Sequence, residues 1–144
     1  MDSDSVDTVE LSPDVAQKLF AAALAVQQRA YAPYSKFLVG AALLTSDNRI
    51  FSGCNIENAS YGLCLCAERS AIAAAVSAGV RSWRAVAVAS RGAVTPCGAC
   101  RQVLSEFGLD YPIFLLDSQL NGQLTQRLTV AELLPGAFRL DSER

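Results

Sequence analysis

The stretch Arg84–Asp117, RAVAVASRGAVTPCGACRQVLSEFGLDYPIFLLD, carries the topology of the chain. Its opening run at 84–90 reads as a buried strand, and 97–107 as a helix that stops at Gly108. IFLLD, at 113–117, is a second short apolar strand. A strand, a crossover helix and a second strand in one sheet form a parallel pair. Upstream, LVGAALLTSDNRIFSGCNI has two apolar runs around the polar turn Ser46–Arg49, which predicts an antiparallel hairpin with strands near 38–45 and 50–56. Downstream, the Asn121-Gly122 turn leads to a last strand near 124–128. Helices are expected over 13–30, where Ser12 caps and Pro13 takes the first position, and over 66–78, which stops at Gly79. A short helix follows, opened by the capping box Thr129 and Glu132. The fold class is therefore α/β, a three-layer α-β-α sandwich on a mixed five-stranded sheet. It is expected to be one domain over 1–144, with 1–11 a flexible N-terminal segment.

Composition narrows the function. Hydrophobic residues make up 51% of 144 residues, rich for a small soluble chain, which points to apolar surface covered by partner subunits. The formal charge is −2 and no Lys/Arg block is dense enough to track phosphates, so nucleic acid is a poor partner. Apolar runs break well short of membrane-spanning length, and the opening MDSDSVDTVE is acidic rather than signal-like, so a cytoplasmic location and no membrane partner are expected. An odd count of 5 cysteines in such a chain argues against a disulfide framework and for metal binding, catalysis or burial.

Cys97 and Cys100 stand three apart at a helix start, and Cys66 opens the preceding helix. Soft thiolates in this arrangement favour zinc, and three protein ligands with an open fourth position is the catalytic pattern. Both helix N-termini lower thiol pKa and offset the accumulating negative charge. The chain has no histidine, so Glu68 is the candidate proton carrier. Two residues of separation in a helix is a rotation of about 200°. Cys66 and Glu68 therefore share a pocket only if the cysteine sits at the very end of its helix. Arg69 and Arg101 are the candidates for hydrogen bonds to the sulfurs. A second arrangement stays open: Cys64, Cys66, Cys97 and Cys100 as a closed structural four-sulfur site with no chemistry.

CAER followed by PCGACRQV is the signature pattern of zinc-dependent deaminases. With AYAPYSKFLVGAALL, GCNIENASYG and ELLPGAF, nearly the whole chain resembles the small, homotetrameric cytidine deaminases. The resemblance implies hydrolysis of cytidine, and of 2′-deoxycytidine, to uridine or deoxyuridine plus ammonia in pyrimidine salvage. It implies one Zn²⁺ per subunit on Cys66, Cys97 and Cys100, with Glu68 shuttling protons. It further implies Asn55 and Glu57 on the ribose hydroxyls, Phe37 against the pyrimidine, and backbone groups of Ala67 and Pro96 near the base carbonyl and the departing amine. Ala59, Tyr61 and Phe138 would reach the site of a neighbouring subunit. From the residues alone, Asn55 and Glu57 also read as a polar strand end and Phe37 as a core side chain. Gly62 in place of a proline, Cys64 as an added thiol and a short SRGAVTP loop depart from the family pattern. Deaminases of a nucleoside antibiotic, nucleic-acid editing deaminases and a zinc-stabilised scaffold are the rival readings. The ribose-type segment NIENASYG weighs against the first, the short Asn121-Gly122 hairpin and the −2 charge against the second, and Glu68 against the third.

Overall fold

The structure, a computed structural model, describes residues 11–140. Nine elements follow in chain order: α1 (Pro13–Gln27), β1 (Val39–Thr45), β2 (Ile50–Cys54), α2 (Ala67–Ser77), β3 (Trp83–Ser90), α3 (Gly98–Glu106), β4 (Pro112–Asp117), β5 (Gln123–Thr129) and α4 (Val130–Leu133). Short 3₁₀ turns at Tyr61–Leu63 and Ser118–Leu120 complete the described chain; neither is signalled by sequence pattern. The sheet runs β2-β1-β3-β4-β5. β3 and β4 are the expected parallel pair, with Val86 opposite Ile113, while β1–β2, β1–β3 and β4–β5 are antiparallel.

Strand periodicity divides the core in two. Ala41, Leu43, Val86, Val88, Ile113 and Leu115 face α2, α3 and α4, and pack with Ala71, Ile72, Leu104 and Val130. Their neighbours Ala42, Leu44, Ala85, Ala87, Phe114 and Leu116 face α1 through Leu19 and Ala23. The sheet is thus covered on both faces, which is why β1, β3 and β4 read as unbroken apolar runs. The predicted three-layer sandwich is the observed one. Two glycines permit the close packing. A Cβ at Gly40 would lie 2.1 Å from the Ala23 carbonyl oxygen, and one at Gly53 2.4 Å from the Ala71 nitrogen.

Boundaries differ from expectation where tertiary hydrogen bonds take over. α1 stops at Gln27 rather than 30 because the next residues are claimed by a bridge, Tyr31 N–H donating to Asn55 O and Glu57 N–H to Tyr31 O. β2 ends at Cys54 rather than 56 for the same reason, Ile56 bridging to both Tyr31 and Leu65. The caps stand as expected: Ser12 Oγ accepts from Val15 N–H at 3.4 Å, and Thr129 Oγ1 from Glu132 N–H at 3.2 Å. Of the segment 1–11 expected to be flexible, residues 1–10 lie outside the described chain, and Leu11 packs half-buried against the α1-side cluster.

Candidate active site

Cys66 and Cys97 are the N-cap residues of α2 and α3, each with extended backbone and neither capping with its side chain. Their sulfurs are therefore free to turn toward one another, and they stand 3.8 Å apart. Cys100, fully buried in the first turn of α3, brings its sulfur into the same group, all three lying within 4.8 Å of one another. Tetrahedral zinc with bonds of about 2.3 Å to sulfur needs sulfurs about 3.8 Å apart, so this donor set fits that ion in spacing and in chemistry. The Cys66 thiol is held well below its ordinary range. A hydrogen bond with Cys100 and the Arg69 guanidinium bring its thiol down to about 5, against the opposing effect of burial. Cys100 moves the other way, because its proton is held in the hydrogen bond with Cys66 and because it is buried.

With Cys66 at the cap, Glu68 falls in the first turn of α2 and turns inward. It is 6% exposed, and its Oε2 accepts from Cys100 Sγ at 3.4 Å. Burial is the main cause pushing its carboxyl above the usual range. Arg69, three residues after Cys66 and so on the same helix face, donates from Nη2 to Cys66 Sγ at 3.3 Å. That part of the expected charge compensation is present, and the sulfurs in turn, Cys66 first, hold the guanidinium protonated.

Arg101 is a correction. Instead of reaching a sulfur, it donates to Pro96 O and Leu133 O, both at 2.7 Å, and to Thr95 Oγ1 at 2.9 Å. One residue beyond Cys100 on a helix turns about 100° away, which directs it to the loop rather than to the sulfur cluster. It ties the approach to Cys97 onto α4. The closed four-sulfur arrangement is not formed either. Cys64 Sγ accepts from Asn58 N–H at 3.3 Å and lies outside the three-sulfur group.

Asn55 and Glu57 brace the loop that precedes β1. Asn55 Nδ2 donates to Phe37 O and its Oδ1 accepts from Val39 N–H, both at 2.8 Å. Glu57 accepts from Tyr34 N–H and Ser35 N–H with Oε1 and from the Ser35 hydroxyl with Oε2 at 2.5 Å. The Ser35 bonds hold its carboxyl below the usual range. Pairing of Glu57 with Tyr34 and Ser35 was not legible in the sequence, since more than twenty residues separate them. Phe37 is half-buried and belongs to neither apolar cluster, so it is not the core side chain that one reading allowed. Ala67 and Pro96 are buried beside the cysteines in sequence, each immediately preceding or following a sulfur-bearing residue. Tyr61 and Phe138 are 79% and 68% exposed, and Ala59 is exposed as well. A cleft of about 340 Å³ joins Tyr34, Ser35, Glu57, Asn58, Tyr61 and Cys64. It includes Glu57 but neither Asn55 nor any of the three clustered cysteines.

Residues 13–116 match the family model described as the cytidine and deoxycytidylate deaminase zinc-binding region. This chain belongs to that deaminase family. It is similar to a protein named cytidine deaminase from Sporosarcina psychrophila, 52% identical over 125 residues that cover 85% of this chain and 90% of the relative. A second, from Halalkalibacterium halodurans, is 50% identical and covers 85% of this chain and 92% of the relative. Among solved structures, the cytidine deaminase of Burkholderia pseudomallei superposes with a TM-score of 0.79 at 48% identity, covering 85% of this chain and 98% of that one. The cytidine deaminase of Mycobacterium tuberculosis gives 0.73 at 40% identity, over 87% of this chain and 98% of its own. The deaminase-family region contains the three sulfurs, Glu68, Asn55, Glu57 and Phe37; Phe138 lies beyond it. No helix among the described residues is long and apolar enough to cross a membrane.

Proposed function

We propose that this deaminase hydrolyses cytidine, and 2′-deoxycytidine, to uridine or deoxyuridine and ammonia, with one zinc ion per subunit on Cys66, Cys97 and Cys100. The observation that carries the reading is a buried carboxylate, Glu68, in contact with a sulfur of a three-thiol cluster spaced for tetrahedral zinc. Zinc held there supplies Lewis acidity that makes water a nucleophile near neutral pH. Glu68 takes the first proton from the attacking water and passes it to N3 of the ring while the oxygen adds at C4. It then carries the second proton to the amino group, which leaves as ammonia while the C4 carbonyl forms. Glutamate thus does the work of a histidine that this chain lacks. Burial holds the Glu68 carboxyl above its usual range, which makes it a stronger base toward the attacking water than a solvated glutamate. Arg69 and the two helix N-termini offset the charge of three thiolates.

The nucleoside is held by Phe37 against the pyrimidine and by Asn55 and Glu57 at the ribose hydroxyls. Asn55 keeps one amide hydrogen and one lone pair, and Glu57 one lone-pair site, beyond the bonds they already make. Backbone groups of Ala67 and Pro96 flank the base. The exposed Ala59, Tyr61 and Phe138 complete the site of a neighbouring subunit in a homotetramer, so a dissociated chain is expected to lose nearly all activity. A free nucleoside in pyrimidine salvage, handled in the cytoplasm, suits a chain with a charge of −2 and no basic stripe. Zinc-loaded protein incubated with cytidine should yield uridine and ammonia in equal amounts by chromatography. A folded, zinc-containing protein that releases neither overturns the assignment.

A further inference from the structure

The loop between β3 and α3 connects two parts of the site that the motifs treat separately. It ends at Cys97 and begins at Arg91, whose guanidinium lies 5.6 Å from the centroid of the Phe37 ring. Several bonds fix this loop. Gly92 N–H donates to Asp117 Oδ1 at 3.0 Å, Val94 N–H to Ser90 Oγ at 3.0 Å, and Arg101 holds Thr95 and Pro96. Ala93 has a φ of 50°, a left-handed conformation that an alanine keeps only when its surroundings hold it. Arg91 therefore projects from a rigid base.

The Phe37 backbone is pinned as well, its N–H donating to Ser35 Oγ at 3.0 Å and its carbonyl accepting from Asn55 at 2.8 Å. Its ring, outside both apolar clusters, has no core packing to orient it. Phe37 and Arg91 instead line an open pocket of about 180 Å³ with Gln27, Gln28, Lys36 and Leu38, and of the two cations there Arg91 is the one placed over the ring. We infer that Arg91 is a positioning residue for substrate binding: it holds the Phe37 ring in the orientation that receives the pyrimidine, and Asp117 fixes Arg91 through Gly92. This rests on the reading of Phe37 as the pyrimidine wall. It adds that the loop carrying a zinc ligand also sets that wall.

The test is a double-mutant cycle of Arg91→Ala and Phe37→Ala on the zinc-loaded protein, with Arg91→Lys as the conservative variant. Arg91→Ala should raise KM for cytidine about two- to five-fold, the effect of one exposed cation–π contact. It should leave kcat and the zinc content unchanged. Arg91→Lys should restore most of the loss, and Arg91→Ala should add nothing in the Phe37→Ala background. Asp117→Ala should reproduce the KM effect, and Asp117→Asn, which still accepts from Gly92, should reproduce less of it. A wild-type KM in Arg91→Ala, an equal effect without the Phe37 ring, or a fall in kcat at constant KM would each overturn the inference. Aromatic NMR resonances of Phe37 give a readout independent of turnover and must shift on Arg91→Ala; an unchanged ring signal also overturns it. Absence of cytidine turnover by the wild type would instead refute the proposed reaction, and the ring resonances would still decide whether Arg91 holds Phe37.

Discussion

Glu68→Gln exchanges one oxygen for one nitrogen in a side chain that is 6% exposed, so the pocket is not emptied and nothing new must be packed. The structural loss is the contact with Cys100 Sγ, at 3.4 Å a long and weak one worth on the order of 0.5–1 kcal/mol. Thermal stability should therefore move by only a few degrees. The chemical loss is far larger. A positioned acid or base contributes roughly 10²–10⁴-fold, and here one carboxyl serves both proton transfers, which places the expected fall in kcat near 10⁴-fold, about 5.4 kcal/mol of barrier. The assay is initial-rate loss of cytidine absorbance, with zinc per chain and unfolding midpoint measured on the same samples. A zinc-replete variant within tenfold of wild type would refute Glu68 as the proton carrier. Loss of zinc from the variant would refute the separation of proton transfer from metal binding.

Because Cys64 bonds to Asn58 and not to the sulfur group, Cys64→Ser should keep its zinc, whereas Cys100→Ser should lose most of it, as read by metal analysis after dialysis. Gly40→Ala drives a methyl to 2.1 Å from one α1 backbone atom and 2.6 Å from another, neither of which is a side chain that can swing away. Overpacking of this kind costs up to about 3 kcal/mol and should lower Tm by about 10 °C; a fall under about 2 °C by calorimetry would contradict the packing described. Glu57 has its folded pKa lowered below 4.5, chiefly by the Ser35 hydroxyl, so its contribution is present above 4.5 and lost as pH falls through the folded value. The stability advantage of wild type over Ser35→Ala in denaturant titrations should therefore shrink as pH drops below 4.5, and an advantage that grows on acidification would contradict the assignment.

The layers were legible because β1, β3 and β4 are buried on both faces and the helices between them stop at glycines, Gly79 and Gly108, of positive φ. The ends of α1 and β2 were not, because Tyr31 pairs with Asn55 and Glu57 far along the chain. The metal cluster was legible from spacing, and the offset of two between Cys66 and Glu68 demanded the N-cap position that Cys66 occupies. The two arginines separate what adjacency tells from what geometry tells. Arg69 is one turn from Cys66 and reaches its sulfur; Arg101 is next to Cys100 and points elsewhere. The bracing of the 34–39 loop by Asn55 and Glu57, and the placing of Arg91 over Phe37, depend on a tertiary approach of loops that no local pattern encodes.

The central claim is that three thiolates hold one catalytic zinc beside Glu68. It is tested most directly by stripping the metal, adding Zn²⁺ back in steps and following cytidine deamination at each step. The account predicts a rate that rises linearly and stops at one equivalent per chain, with Glu68→Gln taking up the same equivalent and remaining inactive. Full activity in metal-free protein, or saturation with zinc that brings no deamination, would contradict it.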